Sequence, residues 1–384
     1  MRIDAPWLTA APLQAVFAAF RDAGHGAWLV GGSVRNAVLG EPVGDLDLAT
    51  DATPDQMARL ATAAGIKAVP TGADHGTMTL VADGVPHEVT TFRRDVETFG
   101  RRATVQFTNE MVEDARRRDF TMNALYAGAD GEIIDPLGGL PDALARRVRF
   151  VGDAGQRIAE DYLRILRFFR FHAQYGDDRG IDAEGLAAVA ANLDGLDRLA
   201  RERVGAEMRR LLVVQDPAPA VAAMAQVGAL SRVLPGADMR ALAPLVHLET
   251  QTGTAPDSMR RLAALGGAAP RDRLRLSNAD SARLDLLRRE IGAPTGAAVL
   301  GYRHGLPVAR DILLLRAALL EAPLDPAALE AASVGAKAVF PIKARDLMPQ
   351  HQGPALGERL KALEERWIAS GFALTRQELL EGSQ

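Results

Sequence analysis

The sequence predicts an α+β fold, in which a small mixed sheet lies within the first ~140 residues and helices alone make up the rest. Residues 45–49 (DLDLA) alternate polar and apolar side chains, which is typical of a half-buried strand. Beyond Pro141, apolar residues recur at spacings of three and four, which is typical of helices that bury one face. An example is the series Ile158, Tyr162, Ile165 and Phe169. The change of period near residue 140 predicts the end of the sheet-containing part.

The predicted elements of the N-terminal part are separated by turn signals. Residues 27–32 (AWLVGG) predict a short apolar strand that ends in a glycine turn. Ser33 is the predicted N-cap of the helix that follows. Residues 77–81 and 85–92 predict a hairpin, because Ala-Asp-Gly (82–84) lies between them.

Composition and charge limit the classes of protein to which the chain can belong. With 384 residues, the sequence is long enough for two to four structural units. No apolar run is long enough to predict a membrane span, and residues 1–10 lack the apolar stretch of a signal peptide. Cysteine is absent, which excludes disulfides and cysteine-ligated metals and suits the cytoplasm, where we expect the protein. The net charge of −4 means that any basic surface for nucleic acid must be local.

Two glycines and an arginine between the first strand and its helix predict an anion site. The segment 29–35 (LVGGSVR) places free backbone N–H groups and the positive end of a helix at one point, which favours a phosphate. Gly31 and Gly32 let the backbone approach the phosphate closely, and the charged guanidinium of Arg35 can donate hydrogen bonds to the same anion. A plain tight turn is the alternative interpretation of the segment taken alone.

Three carboxylates predict a metal site nearby. Asp45 and Asp47 are two residues apart in a predicted strand, so both side chains lie on the same side of it. A cation between them would relieve their repulsion, and hard oxygen ligands suit Mg²⁺, which also binds nucleotide phosphates. Glu88, on the predicted hairpin, is a candidate third carboxylate. The pattern predicts metal-assisted nucleotidyl transfer, with a solvated strand face as the alternative.

The segment 116–123 (RRRDFTMN) contains further candidates for nucleotide binding. Arg118 can pair with triphosphate oxygens. Asp119 and Asn123 lie four residues apart, which places them on one face of a helix, and they can hold the sugar hydroxyls or each other. Residues 121–126 are apolar and are predicted to be helical. A solvated charge run is the alternative for the arginines.

The segment 160–170 (EDYLRILRFFR) predicts direct recognition of a base. Asp161, Arg164, Arg167 and Arg170 are spaced three apart and share one face of a predicted helix whose other face is apolar. Asp161 can accept a hydrogen bond from the amino group of cytosine or adenine while Arg164 donates one to the ring nitrogen. Guanine and uracil present the reverse order and would leave both side chains unpaired, which supports strong discrimination. An ion pair on a solvated helix is the alternative.

The order of these motifs resembles that of the class II CCA-adding tRNA nucleotidyltransferases, which belong to the tRNA nucleotidyltransferase/poly(A) polymerase family. The matching segments are GGSVR, DLD, HEVTTFR, RRDFTMN, EDYLRILRFFR and LARERVGAEM. The resemblance implies an N-terminal nucleotidyltransferase head with a small mixed sheet, followed by an all-helical neck, body and tail. We therefore expect a head at 1–140, a base-recognising neck at 141–200, a body at 201–295 and a tRNA-binding tail at 296–384.

The resemblance also implies an activity, namely Mg²⁺-dependent addition or repair of the 3′-terminal CCA of tRNA from CTP and ATP, without a nucleic-acid template. No membrane and no obligate protein partner are expected. Glu202, Arg203 and Glu207 would buttress the nucleotide-binding helices. The expected site has catalytic Asp45, Asp47 and Glu88, with Asp45 and Asp47 as metal ligands, and a nucleotide bound by Gly31, Gly32, Arg35, Arg118, Asp119, Asn123, Asp161, Arg164, Arg167 and Arg170.

One departure from the family pattern and three rival functions bear on this expectation. The family motif usually reads GGxVRD, whereas this chain has Asn36, which weakens any role for a carboxylate there. Bacterial poly(A) polymerase shares the head but usually carries a Gly-Arg-Arg-Phe element, which residues 71–77 lack. The second rival is a partial enzyme that adds only CC or only A. The family-like length of loop 94–106 disfavours the CC-only enzyme. A non-catalytic RNA-binding protein is disfavoured by the intact Asp45 and Asp47.

Overall fold

One mixed sheet organises the N-terminal part of the chain. Among the described residues its seven strands lie in the order β3-β4-β5-β2-β1-β8-β9, and a separate hairpin pairs β6 with β7. Strands β2 and β5 run parallel, whereas the other neighbouring pairs are antiparallel. The predicted small mixed sheet is therefore confirmed. The strands are β1 (Ala27–Val30), β2 (Asp47–Thr50), β3 (Lys67–Gly72), β4 (Thr77–Ala82), β5 (Val85–Thr91), β6 (Arg93–Phe99), β7 (Arg102–Phe107), β8 (Tyr126–Ala127) and β9 (Ile133–Ile134).

The chain divides into two units, each with its own contacts. The units are Met1–Val233 and Leu234–Gln384. The four-part division at about 140, 200 and 295 stays a prediction. The computed structural model describes residues 1–99, 102–177, 179–348 and 350–381, with the backbone alone at 74, 95–99 and 102–105. Residues 100 and 101 of the predicted 94–106 loop lie outside the described residues.

Several α-helices accompany the sheet strands in the described part of the chain. Local sequence explains their ends: α3 begins at Pro54 because Thr53 accepts a hydrogen bond from the Gln56 amide, while the Gln56 side chain accepts one from the Thr53 amide. The first helix buries Leu13 and Phe20 completely. These helices are α1 (Ala11–Asp22), α2 (Gly32–Leu39), α3 (Pro54–Ala63), α4 (Met111–Arg116) and α5 (Leu140–Leu144).

Local predictions within the first unit have mixed outcomes. The hairpin is confirmed, with Asp83 and Gly84 at positive φ of 48° and 79° in its turn. The predicted N-cap at Ser33 is wrong, because α2 begins at Gly32 and Gly31 turns the chain into it with a φ of 70°. The helix predicted at 121–126 is also wrong. A short 3₁₀ helix (Thr121–Asn123) leads into β8, which completes the sheet beside β1.

Further α-helices follow in the described part of the first unit. They are α6 (Ala154–Glu160), α7 (Leu163–Tyr175), α8 (Ala183–Ala191), α9 (Arg201–Leu212), α10 (Ala218–Gln226) and α11 (Ala229–Val233). Helix α7 is amphipathic: Ile165, Phe168 and Phe169 are fully buried on one side, and its arginines lie on the other. It packs against α9 and α10, so its arginine face is fixed in position.

The second unit contains only helices among its described residues. They are α12 (Leu242–Gln251), α13 (Ser258–Leu265), α14 (Pro270–Arg273), α15 (Asn278–Gly292), α16 (Ala297–Leu319), α17 (Pro326–Lys337), α18 (Pro354–Ala369) and α19 (Arg376–Glu381). Helix α16 is interrupted at Gly305, whose φ is 78°. An all-helical arrangement after the sheet is therefore confirmed. In the part of the chain that the structure describes, no helix has the length and apolar character to cross a membrane.

Candidate active site

The turn between β1 and α2 exposes the N-terminus of a helix beside a guanidinium. Gly31 has φ 70° and ψ −118°, a conformation that suits glycine. A Cβ atom at this position would lie 3.3 Å from Nη1 of Arg118. The absence of a side chain at Gly31 therefore lets Arg118 lie against the turn, so the positive end of α2 and a fixed cation share one location.

Arg35 is a buried cation whose direct hydrogen-bond acceptors are neutral. Only 6% of the residue is exposed. Its Nη2 donates to the Tyr175 hydroxyl at 2.6 Å and to Asn36 Oδ1 at 2.8 Å, and its Nη1 donates to Asn123 Oδ1. Burial lowers the pKa of Arg35. No ion pair joins Arg35 to a carboxylate among the described residues, and Asn36 presents a neutral amide oxygen to its guanidinium.

The predicted acidic residues converge on one side of the sheet. Asp47 and Glu88 are register partners on the parallel strands β2 and β5, so both side chains leave the same face. Asp45 precedes β2 rather than lying within it, which corrects the strand prediction. Burial raises the pKa of Asp47, and Glu88 and Asp45 add to the rise. The negative charges therefore lie close enough to repel one another.

Two residues outside the predicted set fix the position of the Arg118 side chain. Its Nη2 donates to Asp114 Oδ2 at 2.9 Å, and Tyr126 donates to the same oxygen at 2.7 Å. The Arg118 guanidinium also lies over the Tyr126 ring, 5.3 Å from its centroid. The spacing of Asp114 and Arg118, four residues apart, was a usable signal for this pair. The contact with Tyr126 joins α4 to β8, and no local sequence pattern predicts it.

Asp119 connects the segment after α4 to helix α7. Its Oδ1 accepts a hydrogen bond from Asn123 Nδ2 at 2.8 Å, and its Oδ2 accepts one from Arg167 Nε at 2.7 Å. Burial would raise the pKa of Asp119, but Arg167 and the hydrogen bonds outweigh it and the pKa falls. Asp119 and Asn123 meet across a 3₁₀ turn, whereas the sequence predicted a helix.

The two candidates for base recognition have separate partners. Asp161 lies just before α7 and pairs with Arg203 at 2.6 Å. Arg164 Nη1 donates to Glu160 Oε2 at 2.6 Å. No ion pair joins Asp161 to Arg164 among the described residues, and Arg164 pairs instead with Glu160, four residues earlier in the sequence. Arg170 pairs with Glu207 at 2.7 Å.

One cavity of about 550 Å³ brings nearly all the predicted site residues together. Its size is that of a pocket for a small ligand. Asp45 and Arg170 are the predicted residues outside its lining. The predicted residues that line it are Gly31, Gly32, Arg35, Asp47, Glu88, Arg118, Asp119, Asn123, Asp161, Arg164 and Arg167; those that were not predicted include Thr90, Arg93, Asp114, Arg117 and Phe171.

Two family models match the chain. Residues 27–149 match the poly(A) polymerase head domain. Residues 180–240 match a model described as the probable RNA- and SrmB-binding site of polymerase A. The head-domain match includes the glycine turn, the carboxylates and Arg118, and it ends shortly before α6.

Curated relatives carry names that refer to CCA addition. The mitochondrial CCA tRNA nucleotidyltransferase 1 of Homo sapiens is 44% identical over 191 residues, which is 49% of this chain and 44% of the relative. The CCA-adding enzyme of Geobacillus thermodenitrificans is 41% identical over 215 residues, which is 56% of this chain and 52% of the relative. The chain thus spans about half the length of the curated relatives that it matches.

Solved structures extend the similarity along the chain. The CCA-adding enzyme of Bacillus stearothermophilus, solved in complex with CTP, is 28% identical and has a TM-score of 0.76 over 97% of this chain and 98% of that chain. The Thermotoga maritima CCA-adding enzyme complexed with tRNA shares the fold, with a TM-score of 0.73 at 18% identity over 99% of this chain and 95% of that one. Residues 27–149 of the chain therefore match the poly(A) polymerase head domain, and the whole chain has a fold similar to that of the solved CCA-adding enzymes.

Proposed function

We propose that this chain adds or repairs the 3′-terminal CCA of tRNA, using CTP and ATP as substrates and no nucleic-acid template. One observation carries the proposal. A single cavity is lined both by groups suited to a triphosphate and by a carboxylate and a guanidinium suited to a base edge. The names of the curated relatives and of the structure solved with CTP agree with it.

The triphosphate would lie against the turn at Gly31 and Gly32. Backbone N–H groups at the start of α2 point outwards, since the first turn of a helix leaves them without intrahelical partners. Arg35 brings a positive charge that its neutral partners do not cancel, and Arg118 brings a second. An anion of high charge is the ligand that such a site stabilises best.

The carboxylates suit Mg²⁺. Asp45 and Asp47 offer hard oxygen ligands, and the repulsion that raises the pKa of Asp47 would be relieved by a cation. Among the described residues, no group of three or more His, Cys, Asp or Glu side chains forms a metal site. Mg²⁺ commonly binds to one or two carboxylates and to substrate phosphates. When bound, Mg²⁺ would make the tRNA 3′-hydroxyl more acidic and neutralise triphosphate charge. Glu88 would be the third carboxylate.

Asp161 and Arg164 would select the base. Each has an ionic partner that fixes its position, and each retains hydrogen-bonding capacity, because a carboxylate has about four acceptor sites and a guanidinium has five donors. Cytosine and adenine both present an amino donor next to a ring-nitrogen acceptor. The hydrogen-bonding groups of Asp161 and Arg164 therefore match both cytosine and adenine. Uracil and guanine would be rejected, because they would leave these polar groups unpaired.

Incorporation into a purified tRNA that lacks its CCA end tests the proposal. The reaction contains Mg²⁺ and CTP, ATP or both, and product length is measured on a sequencing gel. Addition of three nucleotides followed by arrest supports the proposal. A long ladder with ATP alone identifies a poly(A) polymerase, and arrest after CC or a requirement for a CC-ended primer identifies a partial enzyme. No addition with any mixture, together with retained tRNA binding, identifies a binding protein.

A further inference from the structure

Helix α7 reaches Arg35 through its last residue, Tyr175. The Arg35 Nη2 donates to the Tyr175 hydroxyl at 2.6 Å. The centre of the guanidinium lies 4.0 Å from the centroid of the Tyr175 ring. Tyr175 is 4% exposed, so both contacts are shielded from water. A buried hydrogen bond and a close cation–π contact from one side chain leave Arg35 little freedom to move.

The charges around Phe171, one turn earlier on α7, show why Arg35 needs such support. Three guanidinium groups surround its ring, at 5.2 Å for Arg35, 5.2 Å for Arg167 and 4.5 Å for Arg170. Arg167 pairs with Asp119, and Arg170 pairs with Glu207. Arg35 forms no such pair among the described residues, so its charge is the excess in this cluster.

Burial deprives the Arg35 guanidinium of hydration, so an unrestrained Arg35 would move towards solvent. The hydroxyl and ring of Tyr175 oppose this movement and are themselves fixed by the packing of α7 against α9. The same helix carries Arg164 near its other end. Eleven residues of helix rise about 16 Å. One rigid element therefore contacts both Arg35 and the base-recognising part of the cavity.

We infer that Tyr175 is a positioning residue that holds Arg35 against the triphosphate and so links the phosphate contact to the helix that reads the base. The inference rests on the proposed function, because it assigns Arg35 to the nucleotide. Tyr175 is not a catalytic residue, since it does not line the cavity. Its effect on the nucleotide passes through Arg35 alone.

The variant Tyr175→Phe tests this inference because it keeps the ring and removes the hydroxyl. We expect KM to rise by about 3- to 10-fold for CTP and for ATP alike, in keeping with the net contribution of one typical hydrogen bond. The value of kcat and the rejection of UTP and GTP should stay within twofold of wild type. Affinity for inorganic triphosphate, measured by calorimetry without tRNA, should fall by the same factor as KM rises. Tyr302→Phe removes a hydroxyl bonded to Glu364 in the second unit and is the matched control for triphosphate binding.

A double-mutant cycle separates positioning from general packing. In an Arg35→Ala background, Tyr175→Phe should have no further effect on triphosphate affinity, because the residue through which it acts is gone. An equal loss in both backgrounds would overturn the inference. Arg35→Met, which retains the aliphatic stem, replaces Arg35→Ala if that variant does not fold. If the wild-type chain binds triphosphate but adds no nucleotides to tRNA, the proposed function fails while the cycle still decides the role of Tyr175.

Discussion

Asp47 and Glu88 lie side by side on parallel strands, with their Cα atoms in register. The relationship depends on the β4–β5 hairpin, which returns the chain so that β5 adds alongside β2. Two like charges in adjacent positions on one face of a sheet destabilise it unless a cation or a donor compensates. The raised pKa of Asp47 reflects this repulsion in addition to burial. A pair of carboxylates that destabilises the sheet in this way is expected to serve a function.

Replacing Asp47 by Asn should abolish nucleotide incorporation while leaving tRNA binding largely intact. The amide has the same size but loses the charge that would bind Mg²⁺, so we expect the rate of the first addition to fall by about 10²- to 10³-fold or more. Single-turnover incorporation measures the rate, and filter binding measures tRNA affinity. Asp83→Asn makes the same chemical change in the β4–β5 turn, where asparagine tolerates the positive φ of 48°, and should retain wild-type activity. Undiminished incorporation by the Asp47 variant would contradict the metal assignment.

Arg164→Ala should weaken discrimination between bases more than it weakens triphosphate binding. Loss of one side of a paired hydrogen-bonding arrangement removes about 1–3 kcal/mol of discrimination, or roughly 5- to 150-fold. Competition between CTP and UTP, and between ATP and GTP, measures this ratio on the same tRNA. Arg179→Ala removes an exposed arginine that pairs with Asp177 outside the cavity, and its selectivity should match that of wild type. Unchanged selectivity in the Arg164 variant would show that the protein does not read the base through this residue.

Local patterns predicted the elements that local interactions determine. The β1 strand, its glycine turn and the hairpin depend on near neighbours, and the sequence located all three. Ser33 was misassigned because the positive φ of Gly31 turns the chain one residue earlier than a serine cap would. The segment 121–126 was misassigned because pairing of β8 with β1 outweighs the helical preference of its apolar residues.

Contacts between distant segments were the part that the sequence could not predict. Arg118 meets Tyr126 across an α4–β8 junction, and Arg35 meets Tyr175 from a helix far along the chain. No sequence periodicity predicts these contacts, because the distance between the two side chains depends on how the helices pack on the sheet. The motif residues themselves were predictable, since each motif places its polar groups by local geometry. Their partners depend on tertiary packing.

The buried His87 should make the stability of the chain depend on pH below neutrality. His87 is 3% exposed, and its Nε2 has no hydrogen-bond partner among the described residues. Burial lowers the pKa of His87 in the folded state, whereas the unfolded chain takes up the proton near pH 6.5. As the pH falls below about 6.5, the unfolded state therefore binds more protons and the free energy of unfolding decreases, by at most about 1.4 kcal/mol per pH unit from this group.

Urea unfolding of the wild type and of His87→Leu between pH 7.5 and 5 measures this contribution. The slope of the free energy of unfolding against pH should differ between the two proteins because of His87 alone. His172, whose pKa is also lowered by burial, is present in both. A wild type and a variant with parallel pH profiles would show that His87 does not titrate in this range.

In the second unit, Glu249→Gln should cause a large loss of stability. Glu249 is 2% exposed and pairs with both Arg260 and Arg261 at 2.7 Å. Arg260 keeps its pair with Asp311, but both buried arginines lose the charge of Glu249, and removal of one partner from a buried ion pair costs about 3–5 kcal/mol. Denaturant unfolding followed by circular dichroism measures the change. Glu365→Gln alters an exposed glutamate that is 3.9 Å from Lys361, and it should change stability by less than about 0.5 kcal/mol. Equal effects of the two variants would contradict the buried network.

Gly31→Ala should weaken nucleotide binding, whereas Gly40→Ala should not. Both glycines have positive φ, 70° and 69°, so alanine strains the backbone at either position by about 1–3 kcal/mol. A Cβ at Gly31 would lie 3.3 Å from Nη1 of Arg118, whereas a Cβ at Gly40 meets nothing within 4 Å. The two variants should therefore lose similar stability in denaturant unfolding, and Gly31→Ala alone should bind inorganic triphosphate more weakly in calorimetry, because Arg118 must move away from the helix N-terminus. Wild-type triphosphate affinity in Gly31→Ala would place the anion site elsewhere, since the turn and Arg118 could then be separated without consequence for the ligand.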